Sequence, residues 1–290
     1  MRRWALLVLL GACRPVMAPK VPAPDYDPSE AWETLLGQVV TVDGMVDYDK
    51  LEANRGPLDE YVAWVGRDRS PPRSNQRHAF MINAFNALVL FQVLERGRPA
   101  SVDAVEGWLP KPGSAFFYET AFLVDGTPTS LDEIRTEYLR FKLLDYRDHA
   151  ALNSASRSSP PLRSTLYENS HLDTQLREQM MRWVADDARG VRMDDGVAVF
   201  SPLFDWYGYD FDFQTQGDDL CAVASRYASG AKKLALRKAS AVGCPHRFGE
   251  FDDALNDDSG GTIAAPPAPA EREADPSEPV AVPAPPEDPG

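Results

Sequence analysis

The sequence predicts an α+β fold: a mostly helical single domain with a buried central helix and a few short antiparallel strands. Three observations predict it. His78–Leu94 holds 13 apolar residues among 17, spread over every face, which is the pattern of a helix enclosed in a core. Asp43-Gly44, Asp125-Gly126 and Asp194-Asp195-Gly196 sit beside apolar or β-branched runs, as tight turns between short strands do. Elsewhere, apolar residues recur at helical spacing over several shorter stretches.

Composition bounds the function. The 290 residues fit one or two domains, and about 225 of them, 30–257, run without an internal repeat or an obvious linker. Thirty basic residues against 44 acidic ones give a net charge of −14. That balance argues against a nucleic-acid partner, because phosphate binding needs a clustered positive surface. Hydrophobic residues make up 43%, enough for a real core. No apolar run reaches 18 residues, so no segment reads as a spanning helix.

The first element is MRRWALLVLLGACRP. Arg2 and Arg3 form a positive n-region, and Trp4–Leu10 is a seven-residue apolar stretch, as in a secretory signal peptide over 1–12. Leu10-Gly11-Ala12-Cys13 resembles the lipobox of bacterial lipoproteins, in which the cysteine is acylated and becomes the first mature residue. The alternative is an ordinary cleaved signal with an incidental cysteine. Acyl chains on Cys13 would contribute about 0.8 kcal/mol per buried methylene, so two or three of them anchor a protein stably. Residue 14 is Arg rather than the Asp that marks inner-membrane retention in many such lipoproteins, which leans toward an outer membrane facing the periplasm. Residues 13–31 are proline-rich and predict an extended, stiff linker.

Within the globule, Val39–Tyr48 reads as a short hairpin and Pro57–Val65 as a helix, with Pro57 near the first turn where its missing N–H costs nothing. In the central helix, Asn83 and Asn86 lie one turn apart on one face. Two amides in so apolar a helix need partners, or each costs about 1–3 kcal/mol. They either tether a neighbouring loop or line a polar pocket. Phe116–Thr127 reads as β. Ser130-Leu131-Asp132-Glu133 is a capping box, which accounts for its two carboxylates without catalysis. Leu131, Ile134, Tyr138 and Phe141 then continue a helical face. Leu166–Val184 and Asp218–Arg237 are further helical stretches, with a short strand at Val197–Phe200 between them. Phe204, Trp206, Tyr207, Tyr209 and Phe211 are a candidate stacking surface, or else core packing. Residues 258–290 contain nine prolines, no aromatic residue, and seven acidic residues against Arg272. No core forms from such a composition, so it predicts a disordered acidic tail.

Several segments together resemble one family. His78-Ala79-Phe80-Met81-Ile82-Asn83-Ala84-Phe85-Asn86-Ala87-Leu88 resembles its AFWINxYNAL helix. Ser130–Ile134 resembles SLDDIEH, and Arg147-Asp148-His149-Ala150-Ala151-Leu152-Asn153 resembles RIHFALN. Ser201–Phe211 resembles SxIFxWYxxDF, and Phe251–Asn256 resembles the closing YDWSLN. The family is the domain of unknown function 547, and the resemblance runs in collinear order over about 32–257. It implies a self-contained domain that recurs in envelope-associated bacterial proteins, and it brings no established reaction.

The departures from the family pattern bear on chemistry. The family continues CGSxSCPPL after RIHFALN, whereas this chain has Ser154 and Ser159 at the two cysteine positions and Thr136 at the histidine position of SLDDIEH. A thiol, with a pKa of about 8.5, is a far better nucleophile than a serine hydroxyl, which needs an oriented base and an oxyanion hole. His149 is the candidate base, and no G-x-S-x-G elbow surrounds either serine. Serine is also neither a thiolate ligand nor a disulfide partner. His78, His171 and His246 show no metal-ligand spacing, so no metal and no cofactor are expected. Cys221 and Cys244 are a candidate disulfide in an oxidising compartment.

The expected function is that of an uncharacterised cell-envelope lipoprotein with a non-catalytic binding or assembly role, whose partners are the membrane through its anchor and an envelope protein or glycan. The alternative is an envelope hydrolase or transferase using a Ser/His pocket. The catalytic candidates are His149, Ser154 and Ser159, and the candidate pocket adds Asn83, Asn86 and Arg147.

Overall fold

A computed structural model describes residues 14–67 and 74–263. The signal peptide, Cys13 and residues 264–290 of the acidic tail lie outside the described residues. The fold is α+β, with short helices wrapped around one long one and two small sheets.

Three helices, α1 (Ser29–Val39), α2 (Tyr48–Ala53) and α3 (Gly56–Val65), precede the central helix α4 (Ser74–Glu95). Between α1 and α2 the predicted hairpin is reduced to one antiparallel bridge, Val40 with Val46. Gly44 turns there at φ +74°, and a Cβ on it would lie 2.6 Å from the Pro161 side chain, so glycine lets the turn and that loop approach. Gln76–Glu95 is long and apolar enough to cross a membrane by length and composition, but 83% of its apolar window is buried by the surrounding protein. The helix is therefore a core helix because the fold covers it, not because it is too short.

The next segment departs from the sequence reading. Only Ala121–Val124 (β1) and Thr127–Ser130 (β2) form strands, paired antiparallel, while Ala115–Glu119 is a π-helical turn. The capping box at Ser130 is present: the Glu133 amide donates to Ser130 Oγ at 3.2 Å, and the Ser130 amide donates to Glu133 Oε2 at 2.8 Å. It opens α5 (Leu131–Glu133), which widens into a π-helix over Ile134–Leu143. A π-helix bonds i to i+5, so the buried face shifts from the α-helical spacing. Ile134 and Leu139 are buried, whereas Phe141, expected on the apolar face, is exposed.

After the one-turn helix α6 (Asp148–Ala151) come α7 (Leu172–Ala185), the β3–β4 hairpin (Val191–Asp194, Val197–Phe200), and helices α8 (Leu203–Trp206), α9 (Gly208–Thr215), α10 (Leu220–Tyr227) and α11 (Gly230–Ser240). The strand β5 (His246–Phe248) pairs with β4 in parallel, so the second sheet is mixed rather than purely antiparallel. Cys221 and Cys244 are bonded to each other, with Cα atoms 5.6 Å apart.

The core has two parts. One surrounds α4, with Trp32, Tyr61, Phe85, Phe91, Phe116 and Phe122. The other holds Trp183, Phe200, Phe204, Phe211 and the disulfide. Within α6, Ala150 packs into the second and Ala151 into the first, so this single turn stitches the two together.

The chain ends of the described region lie on the globule. Val16 bridges to Ala121 alongside β1, Met17 packs on the core, and Arg14 pairs with Glu133 at 2.6 Å. This part of the proline-rich stretch is thus docked rather than a free spacer. At the other end, Ile263 bridges to Thr41.

Candidate functional site

The site is built on α6. Successive residues of a helix project roughly 100° apart. Asp148 therefore faces α4, and His149 faces α9. Both side chains are buried, and each finds a hydrogen-bond partner: Asp148 Oδ1 lies 2.7 Å from His78 Nε2, and His149 Nε2 lies 2.8 Å from Asp210 Oδ2.

Asp210 is clamped from a second side. Arg140, near the end of the π-helix, donates from Nε to Oδ2 at 2.6 Å and from Nη2 to Oδ1 at 3.0 Å. Burial opposes ionisation of Asp210, but the bonds from His149 and Arg140 outweigh it and bring its pKa down to about 2. Burial also dominates at His149: it lowers the imidazole pKa despite the Asp210 bond, so the ring is neutral at pH 7. An ionised carboxylate only accepts, so Nε2 carries the proton and Nδ1 keeps a bare lone pair. Among the described residues Nδ1 makes no hydrogen bond. Tyr207 stacks on the ring at 4.1 Å between centroids.

His149 lines a cavity of about 270 Å³ at the seam between the two core parts. Ser154, Ser156 and Ser159 form one side of it, Trp206, Tyr207, Phe117 and Phe251 supply aromatic walls, and Arg135, Lys111, Asp103 and Asp253 bring charge. The exposed Trp206 ring sits 5.0 Å from Phe251.

The two serines differ. Ser159 Oγ is buried inside its own loop, 2.7 Å from Ser156 Oγ, and accepts the amides of Ser154 at 3.1 Å and Ser156 at 3.4 Å. Ser154 Oγ is half-buried, makes no hydrogen bond among the described residues, and is not bonded to His149.

Both asparagines tether loops, and Asn83 also lines a second cavity beside Tyr167 and Arg77. Asn83 donates to the Tyr167 carbonyl and accepts the Tyr167 amide, both at 2.9 Å. Asn86 donates to the Ala151 carbonyl at 2.9 Å and accepts the Asn153 amide at 3.0 Å. Neither lines the His149 cavity, and Asn86 instead fixes the segment that carries Ser154. Arg147 is also outside it, spent on Asp145 and Asp173 at 2.7 Å each. Thr136, at the family's histidine position, lies beside Asp132 on the π-helix.

The functional geometry missed from sequence is the pairing itself. Asp210 lies inside the segment Ser201–Phe211 and His78 opens the central-helix motif, yet neither spacing shows that they meet His149 and Asp148. For Asp148, burial raises the carboxyl pKa to about 6 against the pull of His78, and one of its oxygens, Oδ2, has no partner.

The fold and site define an α+β domain with a buried, oriented His–Asp pair at the edge of an aromatic cleft. Residues 70–184 match the model of the family described as a protein of unknown function, DUF547. That match contains α4, the π-helix, His149 and both serines, while Asp210 lies beyond it. No curated protein and no solved structure matches the chain.

Proposed function

We propose that this chain is a non-catalytic binding domain of a bacterial cell-envelope lipoprotein, and that its ligand occupies the cleft around His149. One observation carries the binding reading: the cleft offers unspent recognition groups while its nucleophile machinery is disengaged. His149 and Ser154 line the same cavity, and no hydrogen bond joins their side chains. The Ser154 amide, the natural donor to an oxyanion formed at that residue, is already given to Ser159 Oγ.

Titration of the protein with solubilised envelope digests, followed by the imidazole NMR signals of His149, tests this. Saturable shifts with no change in the digest by mass spectrometry support it. Turnover that disappears in His149→Gln would replace it with the second reading, a Ser/His hydrolase or transferase. That second reading is favoured by the Asp210–His149 alignment, which orients a neutral base.

The envelope address is supported by the Arg2–Cys13 pattern, by Arg14, and by the Cys221–Cys244 bond, which suits an oxidising compartment. Because Arg14 and Val16 are held on the domain, acyl chains on Cys13 would keep the cleft-bearing globule close to the bilayer rather than at the end of a long spacer. Cys13→Ala should leave the exported protein in the soluble fraction, and continued membrane partitioning after correct export would remove acylation from the account.

A further inference from the structure

Both signs of charge line the cleft: Asp103 and Asp253 with Arg135 and Lys111. Asp103 and Asp253 both line it, and neither carboxylate has an ion-pair or hydrogen-bond partner among the described residues. Burial and the nearby Asp253 raise the Asp103 pKa, which is the response of two carboxylates without a cation between them. Arg135, which also lines the cavity, makes one ion pair, from Nη2 to Asp132 at 2.7 Å, and its other N–H donors have no partner among the described residues.

The ring of Phe117 has groups of both signs near it. Its guanidinium neighbour, the Arg135 Cζ, is 5.8 Å from the ring centroid. Asp103 Oδ1 and Phe117 Cδ2 both lie 3.0 Å from the point where a Cβ on Gly113 would stand. Gly113 has φ +62° and no side chain there, which lets the acid and the ring close on each other. His149 adds an independent pointer to a ligand: its side chain is 3% exposed, it lines the same cavity, and Nδ1 is unpartnered.

We infer that the cleft takes a dipeptide zwitterion, with its ammonium on Asp103 and Asp253, its carboxylate on Arg135, and its amide N–H within reach of the His149 Nδ1 lone pair. The ammonium replaces the missing cation, and the carboxylate matches the planar donors of the guanidinium. The aromatic walls cover the apolar side chains. The volume of about 270 Å³ suits a dipeptide rather than a long chain. This inference rests on the binding reading above and specifies the ligand class of that same cleft.

Calorimetric titration of the intact protein with Ala-Ala, N-acetyl-Ala-Ala and Ala-Ala amide tests it. The zwitterion should bind about tenfold or more tightly than either blocked form, as loss of one charge-assisted contact predicts. In Asp103→Asn/Asp253→Asn, on the partly exposed side of the cleft, the penalty for N-acetylation should vanish while the penalty for amidation persists. Equal affinity for free and blocked dipeptides, an unchanged N-acetylation penalty in the double variant, or no binding of any dipeptide overturns the inference. If envelope digests still shift His149 in such a case, the binding reading stands and only the ligand class fails. If they too leave it unshifted, both fall.

Discussion

His149 Nε2 sits 2.8 Å from Asp210 Oδ2, and the same oxygen receives Arg140 Nε at 2.6 Å. The carboxylate thereby ties α6, the π-helix and α9 together and fixes which imidazole nitrogen carries the proton.

Removing that carboxylate leaves Arg140 without its acceptor and His149 without its orienting partner. Asp210→Ala should therefore destabilise the fold by about 3 kcal/mol, the scale for breaking a buried pair. Urea unfolding measures it, and a loss below about 0.5 kcal/mol would show that the pair is not holding these elements together.

The sign of the pH dependence follows from the lowered pKa of His149. The unfolded ring takes a proton near its ordinary value of 6.5, while the folded ring resists it. The stabilising contribution is thus complete above pH 6.5 and is lost as pH falls toward the folded pKa. The difference in unfolding free energy between wild type and His149→Gln should shrink as pH drops from 7 to 5. A constant difference would mean that the buried ring is not neutral. Asp210 does not confuse this window, because its own contribution fades only between 3.8 and about 2.

Asn86 holds both the Ala151 carbonyl and the Asn153 amide. Asn86→Ala strands these buried groups and should cost about 2 kcal/mol, with faster hydrogen exchange at the Asn153 amide. Unchanged exchange there would argue against the tether.

The Cys221–Cys244 bond closes a loop of 23 residues in sequence separation. Chain entropy assigns such a closure about 3 kcal/mol. A reductant should lower the Tm of the wild type and leave that of Cys221→Ala/Cys244→Ala unchanged. Equal sensitivity of the two proteins would indicate that the bond does not form.

Much of the scaffold was legible in sequence because local chemistry specified it. The all-apolar helix, the Ser130 capping box and the Asp195-Gly196 turn each depend on neighbours within a few residues. The π-helix was not legible: it changes the period that places Leu139 inside and Phe141 outside, and no single residue announces it. The site was half-legible. His149, Ser154 and Ser159 stood out as residue types and do meet at one cavity, whereas Asn83, Asn86 and Arg147 have structural partners elsewhere. The contact of His149 with Asp210 spans 61 positions, and that of Asp148 with His78 spans 70, distances over which only the tertiary fold decides who meets whom.

The central claim is that the cleft recognises without activating its serine. Intact-mass analysis after exposure of the folded protein to a fluorophosphonate tests it most directly, since such reagents modify hydroxyls only when a base has activated them. The account predicts an unchanged mass. A phosphonyl adduct on Ser154 in the wild type that is absent from His149→Gln would contradict it.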